Sequence, residues 1–159
     1  MNLYDEFFAI AGLFNQLGVR YAVVGGIAMA FHGKPRFTRD IDILVMPEDL
    51  EVVRTALARL GYEQFARPWR FRRADLTLHR FVKIEGKDEL TVDVLPANTS
   101  EHRGVIANAL KAESKAGIVR VATRKDIVWM KKSRNSDQDR VDIRELENDE
   151  DRKGRKNGK

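Results

Sequence analysis

Two aspartates one residue apart, Asp40 and Asp42, sit inside the apolar run Arg39 to Met46, RDIDILVM. Successive side chains of an extended strand point to opposite faces, so the two carboxylates share one face and Ile41 and Ile43 share the other. Like charges held side by side repel each other, and a divalent cation between them relieves that repulsion. A third acid, Asp93, stands in the middle of another apolar run, Leu90 to Leu95, LTVDVL. If that run pairs beside the first, Asp93 reaches the same ions. An all-oxygen donor set selects Mg²⁺ or Mn²⁺. Each acid taken alone also reads as an ordinary solvent-facing position of an amphipathic strand. It is their combination, downstream of the glycine pair Gly25-Gly26, that points to a metal. Glycines at a strand-to-helix turn let backbone N–H groups approach a phosphate closely.

Other side chains extend this reading. Thr38 and Arg39 directly precede the acids. Thr38 bonds a phosphate oxygen or simply starts the strand. Arg36, Arg39 and Lys34 neutralise triphosphate charge or belong to a solvated loop. His32 is a helix cap or a phosphate contact, and with no second histidine or cysteine nearby it is not a zinc ligand. The stretch Arg67-Pro68-Trp69-Arg70-Phe71-Arg72-Arg73 alternates cations with rings. That composition suits an RNA backbone with stacked bases, or else a strand with Trp69 and Phe71 in the core and its arginines in water. His79 and Arg80 extend that patch.

The elements that must hold these groups follow from periodicity and punctuation. Leu3, Phe7, Ile10, Ala11 and Phe14 mark an amphipathic helix closed by Gly18. A buried strand is predicted over Arg20 to Val24, a short helix over Gly26 to His32, a loop at Gly33-Lys34-Pro35, and a second strand over Arg39 to Met46. Pro47, Glu48 and Asp49 start a helix that ends at Leu60, before Gly61. Strands or hairpin arms are predicted at Tyr62 to Phe65, Phe71 to Arg73 and Leu76 to Ile84, then a turn and the strand Leu90 to Leu95. A helix over 101–111, a strand over Ile118 to Ala122, a helix over Arg124 to Lys132 capped by Thr123, and a last helix over Asp139 to Glu147 complete the chain. The fold class is α/β (α+β): a small mixed sheet with flanking helices in one domain, residues 1–147, followed by a disordered basic tail, 148–159.

Composition narrows the class. With 159 residues, 43% hydrophobic and 33% charged, the chain is long enough for one real core. No run approaches the roughly 20 apolar residues of a membrane span. The N-terminus lacks the features of a signal peptide. Cysteine is absent, which excludes disulfides and thiolate metal sites. The expected location is cytoplasmic. The formal charge of +5 is weak support for nucleic-acid binding, because the last nine residues hold five of the cations.

The order Gly25-Gly26, thirteen residues, Asp40-Ile41-Asp42-Ile43, then Asp93 resembles the DNA polymerase β-like nucleotidyltransferase superfamily. Its signature is a glycine pair, a spacer, acid-apolar-acid, and a third acid on a neighbouring strand. Many members have Gly-Ser where this chain has Gly-Gly. Met130-Lys131, followed by Asp139 and Asp142, is similar to the ending of the AbiEii-like (type IV toxin) members. The resemblance implies transfer of NMP from an NTP, ATP included, to a hydroxyl by two Mg²⁺ or Mn²⁺ ions. In it Asp40, Asp42 and Asp93 are the catalytic metal ligands, Asp93 also takes the hydroxyl proton, and Gly25, Gly26, Thr38, Arg39 and Lys131 contact the nucleotide. Asp139 and Asp142 either join that site or hold Lys131 by ion pairing. The acceptor it implies is tRNA or a protein, met at Arg67 to Arg73, with a small molecule as the other choice. Larger members bind acceptors with an added helical domain, so a homodimer or an antitoxin partner is expected to complete the site. Two other classes stay open at this stage: a non-catalytic nucleotide- or RNA-binding toxin–antitoxin component, and a metal-dependent phosphohydrolase.

Overall fold

The computed structural model describes residues 1–156, with side-chain surroundings through residue 148. Helix α1, Leu3–Leu17, starts where the Asn2 side chain accepts hydrogen bonds from the backbone N–H groups of Tyr4 (3.0 Å) and Asp5 (3.1 Å). It ends at Gly18, whose φ of 71° only glycine adopts without strain. Its buried stripe, Phe7, Ile10, Ala11 and Phe14, follows the i, i+3, i+4, i+7 rule. The chain then enters β1 (Tyr21–Val24), α2 (Gly25–Phe31) and β2 (Asp40–Val45). A 3₁₀ turn, Pro47–Asp49, leads into α3 (Leu50–Arg59). Next come β3 (Glu63–Gln64), β4 (Trp69–Phe71), β5 (Leu76–Glu85), β6 (Asp88–Pro96), α4 (Ser100–Asn108), β7 (Leu110–Ser114) and β8 (Gly117–Val121). Helices α5 (Arg124–Arg134) and α6 (Asp137–Lys156) close the sequence of elements.

Among the described residues the strands form one mixed sheet in the order β3-β5-β6-β2-β1-β8-β7, with β4 paired to β5. The pairs β2–β6 and β1–β8 are parallel; the others are antiparallel. The expected pairing of the two acid-bearing strands is present: Asp42 stands opposite Asp93 and Ile43 opposite Val94. One face of the sheet is therefore apolar at its centre. Val23, Ile41, Ile43, Val92 and Val94 are all fully buried there, and α1 packs against β2, β8 and α3. The other face carries the carboxylates.

Three local expectations differ from the structure. The helix expected over 101–111 ends at Asn108, and Leu110–Ser114 instead forms the edge strand β7, paired to β8 through a hairpin. Tertiary pairing decided this, because LKAES has no strong preference of its own. Strand β4 begins at Trp69 rather than Phe71, since its register is set by Leu76 to Leu78 of β5. The last helix was expected to stop at Glu147, before a disordered tail from Asn148. Helix α6 runs on to Lys156. Residues 157–159, the end of the expected tail, lie outside the described residues. No helix among those described is long and apolar enough to cross a membrane.

Replacing the fully buried Ile43 by alanine should lower stability by about 2–5 kcal/mol, read as a fall in the midpoint of urea unfolding. An unchanged midpoint would mean that this face is not the core.

Candidate active site

The Cα registers put Asp40, Asp42 and Asp93 on one face of adjacent parallel strands. They form part of the floor of a cleft of about 300 Å³. The floor continues outward through Arg80, Leu78 and Leu76 on β5, and Trp69 and Phe71 of β4 rise at that side. On the opposite side stand Gly25, Arg36 and Thr38. Helix α5 contributes Ile127, Met130, Lys131 and Arg134, one stripe at i, i+3, i+4, i+7. The carboxylates thus lie between an aromatic and aliphatic half and a cationic half.

The glycine pair has a steric reason beyond phosphate approach. A Cβ on Gly25 would overlap the Asp42 carboxylate, and Gly25 has φ +69°. A Cβ on Gly26 would stand 2.7 Å from Cβ of Thr38. Together they let the side chains of Thr38 and Asp42 fold tightly against the turn. Thr38 donates its hydroxyl to the Asp40 carbonyl (3.2 Å), which orders the strand start. Arg39 is exposed and is not among the residues that line the cleft; its guanidinium lies 5.4 Å from the Phe37 ring centroid. Lys34 stands 3.9 Å from Glu145. The His32 ring bonds the Ala122 carbonyl at 2.7 Å, tying the end of α2 to the residue after β8, and the His32 backbone N–H caps α2, so its contacts are structural.

The cations of the inner half are held by buried acids. Lys131, itself 5% exposed, donates to Asp142 Oδ2 at 2.8 Å and lies 3.6 Å from Asp139. Arg134 forks onto Asp139 with contacts of 2.8 and 2.6 Å. Arg36 Nε is 3.2 Å from Asp142 Oδ1. Burial opposes ionisation of Asp139, but Arg134 and the Ser136 N–H and hydroxyl outweigh it and keep this carboxyl well below the usual range. Three cations against two acids leave an excess of one positive charge beside the cleft. Asp139 and Asp142 therefore hold Lys131, the structural role of the two the sequence left open.

Electrostatics at the centre run the other way. Burial, then the repulsion of Asp93 and Asp40, pushes Asp42 up to about 7, with Arg134 and Lys131 offsetting part of the rise. Asp40 is raised by burial and by Asp93. Asp93 is buried, and Arg80 forks onto it with Nε–Oδ1 and Nη2–Oδ2 both at 2.8 Å. Among the described residues no group of three His, Cys, Asp or Glu side chains is arranged to hold a metal ion. Both Asp93 oxygens are engaged by the Arg80 fork. The donor chemistry still fits Mg²⁺ or Mn²⁺: three carboxylates share one face, and the crowding that raises Asp42 is what a divalent cation relieves.

The stretch Arg67 to Arg73 divides by strand alternation. Trp69 and Phe71 face the cleft, while Arg70 pairs with Asp75 and Arg67, Arg72 and Arg73 are exposed. The same alternation separates His79 from Arg80. His79 is buried against Arg54 on the other side, where burial and that guanidinium push its pKa down. Sequence reasoning gave Arg80 only to the surface patch and missed Arg134. The α5 stripe through Ile127, Lys131 and Arg134 was the available signal for the latter.

Comparison with known proteins places this geometry. The sequence profile of the family described as aminoglycoside-2''-adenylyltransferase matches residues 6–115. The lincomycin-bound lincosamide antibiotic adenylyltransferase LnuA shares the fold with a TM-score of 0.64 at 17% identity, over 89% of this chain and 94% of that one. A candidate nucleotidyltransferase from Thermotoga maritima aligns with a TM-score of 0.56 at 14% identity, over 100% and 97%. The antibiotic-resistance factor ANT(2'')-Ia aligns at 0.52 and 20% identity, over 82% and 71%. At these identities the structural likeness establishes the fold alone. No curated protein gives a significant sequence match.

Two outcomes are expected here. Gly25→Ala should cost about 1–3 kcal/mol from its positive φ and displace Asp42, lowering the melting temperature. A carboxyl that keeps its proton up to about 7 in the folded chain, against roughly 4 when unfolded, favours folding at low pH. That contribution is complete below the ordinary carboxyl range and is lost as pH rises through about 7. Asp42→Asn should accordingly melt above the parent protein at pH 8 in chelator, with the gap closing near pH 5. An equal gap at both pH values would contradict the raised pKa.

Proposed function

We infer the function from one premise: the chain belongs to the aminoglycoside-2''-adenylyltransferase family. It is an enzyme of the nucleotidyltransferase superfamily, moving a nucleoside monophosphate from an NTP to an acceptor. Beyond that, we propose ATP as the donor, a hydroxyl of a small organic molecule as the acceptor, and Mg²⁺ or Mn²⁺ as the cofactor. The observation that carries this reading is the line of charge across the sheet. Arg80 comes first, then Asp93, Asp42 and Asp40, then Lys131 and Arg134 beyond the glycine turn.

In this reading Asp40 and Asp42 would hold two ions, and Asp93 would share the acceptor-side ion. When bound, such ions neutralise phosphate charge and make the acceptor hydroxyl more acidic. Backbone N–H groups at Gly25 and Gly26, together with Lys131, Arg134 and Arg36, would bind the β- and γ-phosphates and stabilise departing pyrophosphate. Thr38 on the cleft wall and Arg39, whose charge acts on neighbouring Asp40, would complete the phosphate contacts. The acceptor oxygen bonds to the α-phosphorus, the bond to the bridging oxygen breaks, and Asp93 accepts the hydroxyl proton. Trp69, Phe71, Leu76 and Leu78 would seat the acceptor body, excluding water from the reacting oxygen.

One observation favours a second reading. Arg67, Arg72 and Arg73 are exposed beside Trp69, a combination that suits the backbone and end of a tRNA. A nearer kinship with type IV toxins, and an antitoxin partner, rests only on Lys131, Asp139 and Asp142.

The test uses each α-labelled NTP with Mg²⁺ and three acceptors in parallel: a lincosamide, an aminoglycoside and total tRNA. Label from ATP is expected on a small acceptor, and Asp40→Asn/Asp42→Asn should reduce its transfer by about a thousandfold or more. Label on tRNA alone selects the second reading. Breakdown of NTP with no labelled acceptor would sink both.

A further inference from the structure

The guanidinium of Arg80 makes two contacts at once. It forks onto both oxygens of buried Asp93 at 2.8 Å, and its Cζ lies 5.0 Å from the centroid of the Trp69 ring. The fork joins directly paired residues of neighbouring strands, Arg80 opposite Asp93, so it is built into the register. Trp69 is 37% exposed and forms the wall of the aromatic half. One cation therefore engages the third carboxylate and covers part of the ring surface on the acceptor side.

We propose that Arg80 is an internal cation competing with the divalent metal for Asp93, and that its displacement both completes the metal site and uncovers Trp69 for the acceptor. This rests on the nucleotidyltransferase reading of the same cleft. The physical argument is one of charge and donor count. A carboxylate whose two oxygens accept a forked guanidinium offers a cation its remaining lone pairs only at the cost of placing like charges side by side. With Arg80 in place the divalent cation binds to Asp40 and Asp42 beside a fixed positive charge. With Arg80 swung away, Asp93 becomes a full ligand. Trp69 loses its cation at the same moment, and its ring is then free to take an apolar or aromatic group of the acceptor. Arg80 is thereby a positioning residue that orders the reaction: metal and nucleotide first, acceptor second.

Direct binding of Mn²⁺, followed by electron paramagnetic resonance in the presence and absence of a non-hydrolysable ATP analogue, tests this without turnover. Arg80→Gln, which keeps a polar contact to Asp93 but no charge, should bind Mn²⁺ about ten- to a hundredfold more tightly than the parent protein. Arg80→Lys, which keeps the charge without the fork, should fall between them. If Arg80 merely orients Asp93 for the metal, both variants bind Mn²⁺ more weakly, and the proposal is overturned. Equal binding in Arg80→Gln overturns it as well. Trp69→Ala guards against a folding defect in the Arg80 variants. It removes the platform under the guanidinium, leaves Asp93 intact, and should tighten Mn²⁺ binding severalfold; no change there also counts against competition. Failure of the parent reading looks different: no protein in the series, with or without nucleotide, then binds Mn²⁺ at the cleft. Tight nucleotide-dependent Mn²⁺ binding with no gain in the variants removes the competition alone.

Discussion

Repulsion among three carboxylates is the constraint around which this molecule is arranged. Asp40, Asp42 and Asp93 share one face of two parallel strands, and burial plus their mutual field drives Asp42 up to about 7. Such a cluster persists only if the surroundings supply positive charge and a rigid base. Both are present. Arg80 engages Asp93 from one side, and the positive charges of Lys131 and Arg134 offset part of the rise at Asp42 from the other.

The inner cations bring the same difficulty with opposite sign. Lys131 is buried, and a buried ammonium is costly unless paired. Asp139 and Asp142 on α6 solve this for Lys131, Arg134 and Arg36 together. Helix α6 is thus tied through charge to α5, whose Lys131 and Arg134 line the cleft. Asp139 and Asp142 do not line the cleft; they pair with the cations that do.

Rigidity comes from beneath. Period-two alternation puts Ile41, Ile43, Val92 and Val94 directly under the acids, so the strands cannot shift by one residue without turning a carboxylate into the apolar core and an isoleucine onto the charged face. The glycine turn locks the remaining side. With Gly25 against Asp42 and Gly26 against Thr38, the glycine turn and the carboxylates are held at a set separation by contact. The aromatic half is less constrained, since β4 is a three-residue strand paired only to β5. That freedom suits the part of the cleft proposed to meet different acceptors.

Much of this was legible in the sequence alone. The alternation of acids with isoleucines set their common face, the glycine pair marked the turn, and α1 was readable through its apolar stripe and Gly18. These are local signals, governed by the period of the backbone and by the conformations open to glycine. What only the tertiary structure decided were the pairings between distant segments. Arg80 became the partner of Asp93 because β5 and β6 meet in one particular register, and Arg134 entered the site because α6 turns its acids back onto α5. Strand β7 formed from a weak sequence because β8 offered it hydrogen bonds. A side chain's face follows from its neighbours in the chain, but the charge it meets depends on which strand or helix lies beside it, and that is settled by packing the whole sheet at once.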